Sequence, residues 1–225
     1  MEYVDIAYCE SEKPITAYPD CLIGYLCERF NLHPENSVSA NVLDVGCGRG
    51  DFTNAFYRLG LDCYAVDNGN RPSRLLDKIV FNNANLETGK LPFEDEYFDV
   101  VFAKSVIEHI VNYDNLITEC KRVMKPKGTL IVMTPDWVSC HRIFYDAYSH
   151  IHPYTEKSLK KLLLIHDMNV ITCERFVQFP AVWRNLLLRT LCRFLQCLGP
   201  VRKERKSSFF RWSRELILLA VARKH

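Results

Sequence analysis

Residues 42–52 read VLDVGCGRGDF, a short apolar run followed by glycine at every second position from Gly46 to Gly50. Such a run is typical of a buried strand, and the glycines leave the turn after it open to a ligand's polar chain. A dinucleotide-binding turn has the spacing G-x-G-x-x-G, but Asp51 stands at the third glycine position here. Asp44 lies inside the strand. A carboxylate there suits a ligand with an ammonium and a sulfonium better than a pyrophosphate.

Strand-like and helix-like segments alternate on either side of this turn. Such alternation predicts a parallel sheet with helices on both faces. Thr155 is a good N-cap for the last of the predicted helices. The predicted strands are 41–45, 62–66, 79–85, 98–103, 129–134, 169–176 and 215–222, and the predicted helices are 51–59, 115–124, which the KPKG turn ends, and 155–165.

The composition is that of an ordinary globular protein, with 225 residues, 48% of them hydrophobic and 25% charged. This length suits one domain with a core of its own. No uninterrupted apolar run reaches the roughly 18 residues of a membrane-spanning helix, and the first residues carry acids where a signal peptide needs bases. We therefore expect a cytoplasmic protein. The ten cysteines form no C-x-x-C pair, so we expect reduced thiols and no metal site.

The segment DVGCGRG, residues 44–50, resembles motif I of the class I S-adenosylmethionine-dependent methyltransferases, in particular the type 11-like group that acts on small molecules. Three later stretches are similar to the family pattern in the same order. They are YAVDNG (64–69), NLETGKLPFEDEYFDVVFAKSVIEHI (85–110) and RVMKPKGTLIVMTPD (122–136). The resemblance covers residues 40–178. It implies an S-adenosylmethionine-dependent methyltransferase.

The resemblance also implies residues that hold S-adenosylmethionine. Asp44 would orient the ammonium, and Asp67 would accept hydrogen bonds from both ribose hydroxyls. Asn85 stands where the family commonly has an aspartate at the adenine amino group. The full set of expected cofactor contacts is Asp44, Gly46, Cys47, Gly48, Gly50, Asp67, Asn68, Asn85, Leu86 and Lys104.

We expect one methyltransferase domain over residues 1–225, with a Rossmann-like three-layer sandwich at its centre. Residues 1–39 would form a helical lid, 40–178 the cofactor-binding core and 181–214 a basic helical insertion. The last apolar run can enter the sheet only after that insertion. The prediction is a seven-stranded sheet of order 3-2-1-4-5-7-6 with strand 7 antiparallel.

Residues 136–155, DWVSCHRIFYDAYSHIHPYT, are rich in histidine and tyrosine where the family keeps its substrate-recognition elements. His109, His150, His152 and Tyr154 are therefore candidates for a base that takes a proton from a hydroxyl acceptor. Each could instead position the backbone. An amine, thiol or carboxylate acceptor needs no such base, so the sequence leaves the acceptor atom open.

The last part of the chain is strongly basic, with 11 Lys and Arg against 2 Asp and Glu over residues 181–225. An amphipathic helix over Trp183–Leu198 would have leucines on one side and Arg189 and Arg193 opposite. Together with the basic residues up to 206 it could lie on an anionic membrane surface, or its apolar face could cap the acceptor pocket. The last third of the chain also resembles that of envelope-glycan and lipid-associated methyltransferases, and this resemblance favours a glycan, glycolipid or lipid-linked acceptor, with peripheral membrane contact.

Two alternatives stay open. A nucleic-acid methyltransferase would explain the basic residues, but those acting on base amino groups usually have an Asn/Asp-Pro-Pro-aromatic motif after strand four, where this chain has AKSV. A non-catalytic S-adenosylmethionine-binding subunit of another enzyme would also keep motif I.

Overall fold

The computed structural model describes residues 15–32, 39–201 and 209–225. The strands are β1 (Asn41–Val45), β2 (Asp62–Asp67), β3 (Val80–Asn83), β4 (Phe98–Lys104), β5 (Met124–Pro135), β6 (Met168–Val177) and β7 (Leu216–Lys224). The α-helices are α1 (Tyr18–Phe30), α2 (Asp51–Arg58), α3 (Tyr113–Val123), α4 (Trp137–Cys140), α5 (Glu156–Ile165), α6 (Pro180–Trp183), α7 (Leu186–Gln196) and α8 (Phe209–Trp212).

The strands form one sheet of order β3-β2-β1-β4-β5-β7-β6, which confirms the predicted topology. β1 to β5 pair in parallel, whereas β7 is antiparallel to both β5 and β6. Two hydrophobic cores pack against the sheet. One contains residues of α3 and α5, and the other contains residues of α1 and α2. The sheet is therefore the middle layer of three. Because both of its faces are covered, β7 is buried from Leu216 to Ala222, as expected of a continuous apolar run.

Two local predictions were wrong. The KPKG segment, predicted as a turn before strand five, lies within β5, which begins at Met124. The bend the sequence indicated survives only as a left-handed residue, Lys127, with φ of 63° before Gly128. The helix predicted over Trp183–Leu198 begins later, at Leu186, and ends at Gln196, whereas Trp183 is the last residue of α6. The Asn185 side chain accepts a hydrogen bond from Leu188 N and so caps the start of α7. The Thr155 cap of α5 is confirmed.

None of the described helices is long and apolar enough to cross a membrane.

Candidate cofactor and acceptor cleft

A cleft of about 1190 Å³ opens at the carboxyl ends of β1, β2, β4 and β5. Parallel strands of an open α/β sheet deliver their following loops to this edge, which is where such sheets bind ligands. Seven of the ten expected cofactor contacts line it: Gly46, Gly48, Asp67, Asn68, Asn85, Leu86 and Lys104. The four sequence motifs therefore meet at one site.

The glycine turn after β1 is shaped by backbone conformation and by a close neighbour. Gly46 has φ of +71°, and a Cβ there would lie 2.4 Å from Cγ2 of Val106. Its N–H donates to the carbonyl oxygen of Val66, and Gly48 N donates to Asp67 Oδ2 at 2.7 Å. No side chain other than hydrogen fits at Gly46 without moving the loop after β4. The turn consequently presents bare backbone to the cleft.

Asp67, the last residue of β2, holds the turn from the side. Its Oδ2 accepts from Gly48 N and its Oδ1 accepts from Asn68 N, both at 2.7 Å. Each carboxylate oxygen has further lone pairs for a ligand hydroxyl. The side chain can thus fix the turn and bind a diol with the same two oxygens.

The loop after β3 lines the opposite end of the cleft. Asn85 Oδ1 accepts from Glu87 N at 2.8 Å, which orders the loop as an Asx turn. Glu87 also lines the cleft, and its carboxylate accepts from Val111 N and Asn112 N. Glu87 was not among the expected contacts, because nothing in the sequence indicates that an isolated glutamate in a polar loop binds the main chain of residues 111–112.

Asp44 lies beneath the glycine turn and does not line the cleft. It is 2% exposed, and its Oδ2 accepts from Thr53 Oγ1 at 2.5 Å. Burial raises its pKa to about 7, against a lowering by the Thr53 hydrogen bond, and the neighbouring Asp67 raises it further. Cys47 and Gly50, also expected as contacts, are likewise absent from the lining.

The loops after β4 and β5 bring three proton-binding side chains together on the other wall. Glu108, His109 and His150 all line the cleft. The imidazole centroids of His109 and His150 are 4.8 Å apart. Nδ1 of His109 lies 3.1 Å from the carbonyl oxygen of Ser149, and Nδ1 of His150 lies 2.7 Å from that of Phe144. Two of the four catalytic candidates thus face the expected cofactor turn.

Glu108 is fully buried although it reaches the cleft wall. Burial raises the pKa of its carboxyl to about 7, while a main-chain hydrogen bond, the Thr134 hydroxyl and the charge of Lys104 lower it. Oε2 accepts from Thr134 Oγ1 at 2.9 Å, whereas Oε1 has no hydrogen-bond partner.

The other two catalytic candidates lie away from the cleft. The His152 ring packs edge-on against Tyr113, with centroids 5.0 Å apart. Tyr154 is buried in the core beneath the sheet, and burial raises its pKa. His152 Nε2 and Tyr154 Oη are both buried without a hydrogen-bond partner. In this structure neither can reach an acceptor in the cleft.

Segments outside the central motifs complete the wall. Thr16 and Tyr18 line the cleft from the first described residues, which lie within the expected lid of 1–39. Residues 1–14 and 33–38 of that lid are outside the described part of the chain. Phe179, Trp212 and Leu216 add an apolar and aromatic rim that the sequence analysis did not assign to the site.

Comparison with known proteins agrees with this geometry. Residues 43–132 match the family model described as a methyltransferase domain. A ubiquinone/menaquinone biosynthesis C-methyltransferase of Paraburkholderia phytofirmans is 34% identical over 119 residues, which are 48% of this chain and 49% of that protein. A ubiquinone biosynthesis O-methyltransferase of Cereibacter sphaeroides is 27% identical over 135 residues, 54% of this chain and 55% of that protein. The chain thus matches about half the length of these curated relatives.

The fold is shared more widely than the sequence. The crystal structure of an S-adenosylmethionine-dependent methyltransferase from Archaeoglobus fulgidus superposes with a TM-score of 0.67 at 17% identity, over 99% of this chain and 100% of that one. At this identity the likeness shows the fold, whereas the family match includes the cleft residues from Gly46 to Ile110. Over residues 43–132 the chain therefore resembles the methyltransferase domain family, and its sheet has the class I, Rossmann-like fold of S-adenosylmethionine-dependent methyltransferases.

Proposed function

We propose that the protein transfers a methyl group from S-adenosylmethionine to a small-molecule acceptor. One observation carries the proposal: a single cleft is lined both by the glycine turn with Asp67 and by His109 and His150. The glycine turn and Asp67 suit the donor, and the two imidazoles suit an acceptor that must lose a proton. The test is release of S-adenosylhomocysteine with a panel of phenolic, glycan and lipid-linked acceptors. Cofactor binding without turnover on any of them would favour the non-catalytic subunit instead.

The chemistry requires little beyond positioning, since the sulfonium is already a good leaving group. Holding the acceptor in line with the methyl group can supply up to about 7–11 kcal/mol of barrier lowering. A general base adds about 10²- to 10⁴-fold. When Nδ1–H of an imidazole donates to a carbonyl oxygen, Nε2 carries the lone pair. Both His109 and His150 have this anchoring, so both are suited to accept a proton.

We expect His109→Ala and His150→Ala each to lower kcat/KM for a hydroxyl acceptor by about 10²- to 10⁴-fold. S-adenosylmethionine affinity should change less than about twofold, because neither ring is on the expected cofactor wall. His141→Ala is the matched control, since its Nδ1 also lies near a carbonyl oxygen, that of Val138, but its ring is outside the cleft. Full turnover by both variants would remove the imidazoles from the reaction.

The acceptor atom is not fixed by the relatives, because one is named a C-methyltransferase and the other an O-methyltransferase. We propose a lipid-linked acceptor, of which glycolipids are one class and a glycan without lipid is the alternative. The support is the apolar rim of Phe179, Trp212 and Leu216 at the cleft, together with the hydrogen bond from Gln196 of helix α7 to the carbonyl oxygen of Ser213, the residue after Trp212.

Helix α7 has its apolar side turned outward. Leu187 is 81% and Phe194 67% exposed, and Leu186, Leu191 and Leu198 are exposed as well. The helix meets the protein through the buried Cys192, and the exposed Arg189 and Arg193 line a cavity of about 330 Å³ together with residues of α1 and β6. Exposed apolar patches of this kind mark interaction surfaces. The arrangement opposes the idea that the leucines cap the acceptor pocket.

We propose that this face binds an anionic membrane surface. α7 contains no acidic residue, and residues 201–206, VRKERK, follow it in the sequence. A basic segment beside an apolar helix face matches the charge of anionic lipids. Residues 202–206 themselves lie outside the described part of the chain. A membrane-bound enzyme could draw a lipid-linked acceptor from the surface on which it lies.

We expect the double variant Leu187→Ser/Phe194→Ser to lower partitioning onto vesicles containing phosphatidylglycerol at least tenfold, since burying one such side chain contributes about 1.5–3 kcal/mol. These substitutions test the surface better than Arg189 or Arg193, because Arg189 donates a hydrogen bond to the Trp183 carbonyl oxygen. Added salt should weaken wild-type binding.

Ile165→Ser is the control, because it removes an equally exposed apolar side chain from α5. It should leave vesicle binding unchanged. Wild-type protein that stays in the supernatant at low salt would contradict membrane binding. If the wild type sediments as a dimer without vesicles and the double variant sediments as a monomer, the exposed face of α7 binds a second copy of the chain.

A nucleic-acid acceptor has less support. Several basic side chains of the last segment are engaged within the protein: Arg184 pairs with Glu28, Arg211 pairs with Glu215, and Arg214 donates to the carbonyl oxygen of Gly199. They do not form an open basic groove over the described residues. Retention on a nucleic-acid column at moderate salt would reopen this alternative.

A further inference from the structure

Three side chains with metal-binding atoms meet on the acceptor wall. One ligand atom from each of Glu108, His109 and His150 lies within 4.8 Å of the other two. Two imidazoles and a carboxylate form a donor set that divalent first-row transition metals accept. These ligands come from the loops after β4 and β5. The expectation of no metal site rested on the spacing of the cysteines, and none of these ligands is a cysteine.

The two histidines are already oriented as metal ligands are. Nδ1 of each lies within hydrogen-bond distance of a main-chain carbonyl oxygen, that of Ser149 or Phe144. In metal sites this second hydrogen bond fixes the tautomer and leaves the Nε2 lone pair for the ion. The anchoring carbonyls belong to the same loop, which positions the two rings together.

Glu108 supplies the observation that points to a missing cation. The side chain is fully buried, and its Oε1 has no hydrogen-bond partner although Oε2 accepts from Thr134 Oγ1. An ionised carboxylate in such a place is unfavourable unless positive charges and donors compensate it. Lys104 and Thr134 favour the ionised form, and a cation bound at Oε1 would add to them. Its main-chain carbonyl oxygen accepts from Ile151 N and His152 N, which ties the loop of His150 to the turn of His109. The cluster is therefore held by main-chain contacts rather than assembled by chance at a surface.

We propose that Glu108, His109 and His150 bind a divalent first-row transition metal ion, such as Zn²⁺ or Mn²⁺, in the acceptor wall of the cleft. Ligand atoms about 2.0–2.2 Å from one ion lie about 3–4 Å from one another. Each ligand atom would have to move by about 1 Å, through rotation of its side chain, to reach that spacing. Thr134 donates a hydrogen bond to Glu108 Oε2 and would thereby hold the carboxylate in position for the ion.

Three protein ligands leave coordination positions open toward the cleft. An acceptor oxygen bound there would be held near the methyl donor, and the ion would lower the pKa of its hydroxyl, whose proton passes to solvent. In that state the imidazoles act as ligands, and the ion replaces them in activating the hydroxyl. This use rests on the proposed methyl transfer, whereas metal binding itself can be measured without cofactor or acceptor.

Binding of Co²⁺ to the metal-free protein tests the site. We expect one equivalent to give visible ligand-field absorption without a thiolate-to-cobalt charge-transfer band in the near ultraviolet. This distinction is needed because nine described cysteines have free thiols, and Cys140 lines the same cleft. Zn²⁺ should displace the cobalt and abolish the absorption.

His109→Ala and His150→Ala should each weaken Co²⁺ binding at least tenfold, and Glu108→Gln, which keeps the side-chain volume, should do the same. His141→Ala, an exposed imidazole outside the cluster, should leave the spectrum unchanged. Circular dichroism identifies any variant that fails to fold. If Glu108→Gln fails to fold, the two histidine variants decide the outcome. Absence of ligand-field absorption in the wild type, thiolate bands in its place, or equal binding by the histidine variants would overturn the site. None of these results depends on methyl transfer.

Discussion

Replacing Asp67 with alanine is expected to weaken S-adenosylmethionine binding at least about 100-fold. Two hydrogen bonds from the ribose hydroxyls to a carboxylate are lost, each contributing about 1.5–3 kcal/mol. The lower sum of about 3 kcal/mol already exceeds a hundredfold change in affinity. The variant also loses the bond from Gly48 N, so the glycine turn becomes less well ordered. Isothermal titration calorimetry measures the affinity directly.

Two further variants define this effect. Asp67→Asn keeps one acceptor oxygen and should bind with intermediate affinity. Asp77→Ala removes an exposed carboxylate from the following loop and should bind as the wild type does. An unchanged affinity in Asp67→Ala would refute the ribose assignment, provided that circular dichroism shows a folded protein.

Asp44→Asn is expected to stabilise the protein at neutral pH. The pKa of Asp44 is about 7 in the folded protein and near its ordinary value of 3.8 when unfolded. Ionisation therefore opposes folding. The wild type has its full stability below about pH 4, loses stability as the pH rises through about 7, and is constant above that. At about 1.36 kcal/mol per pKa unit, a rise from 3.8 to about 7 corresponds to a loss of about 4 kcal/mol.

Urea unfolding at several pH values between 4 and 8 measures this difference. The advantage of Asp44→Asn should be small at pH 4 and greatest at pH 8, because the amide has no charge to bury. Glu108 also has a raised pKa, but it is present in both proteins and cancels in the comparison. Stability curves that run parallel from pH 4 to 8 would contradict the buried charge.

Much of the fold could be predicted because its signals are local. The apolar runs gave the strands, and the glycine turn with its strand and helix placed β1 and α2. The order of β7 and β6 could also be predicted, because the last apolar run of the chain has to be buried between other strands. The bounds of β5 were harder, because a Pro and a Gly usually end a strand, and here the bend is absorbed within the strand.

The site was less predictable, because burial depends on tertiary contacts. His150 and His152 are two residues apart, yet one lines the cleft and the other packs on Tyr113. Periodicity found the two faces of α7 but could not tell which one meets the protein. Asn185, whose side chain caps α7, was the residue that indicated where this helix begins.

The antiparallel insertion of β7 has a consequence for how the molecule is made. β5 pairs with β7 from Thr129 opposite Arg223 to Pro135 opposite Ile217, and β6 reaches the sheet only through β7. Until residues 216–224 have left the ribosome, β5 therefore has an open hydrogen-bonding edge and β6 has no partner strand. Open edges of this kind pair readily with other chains. The nascent chain is thus most prone to aggregate just before this late and non-local step, and chaperone demand should be greatest there.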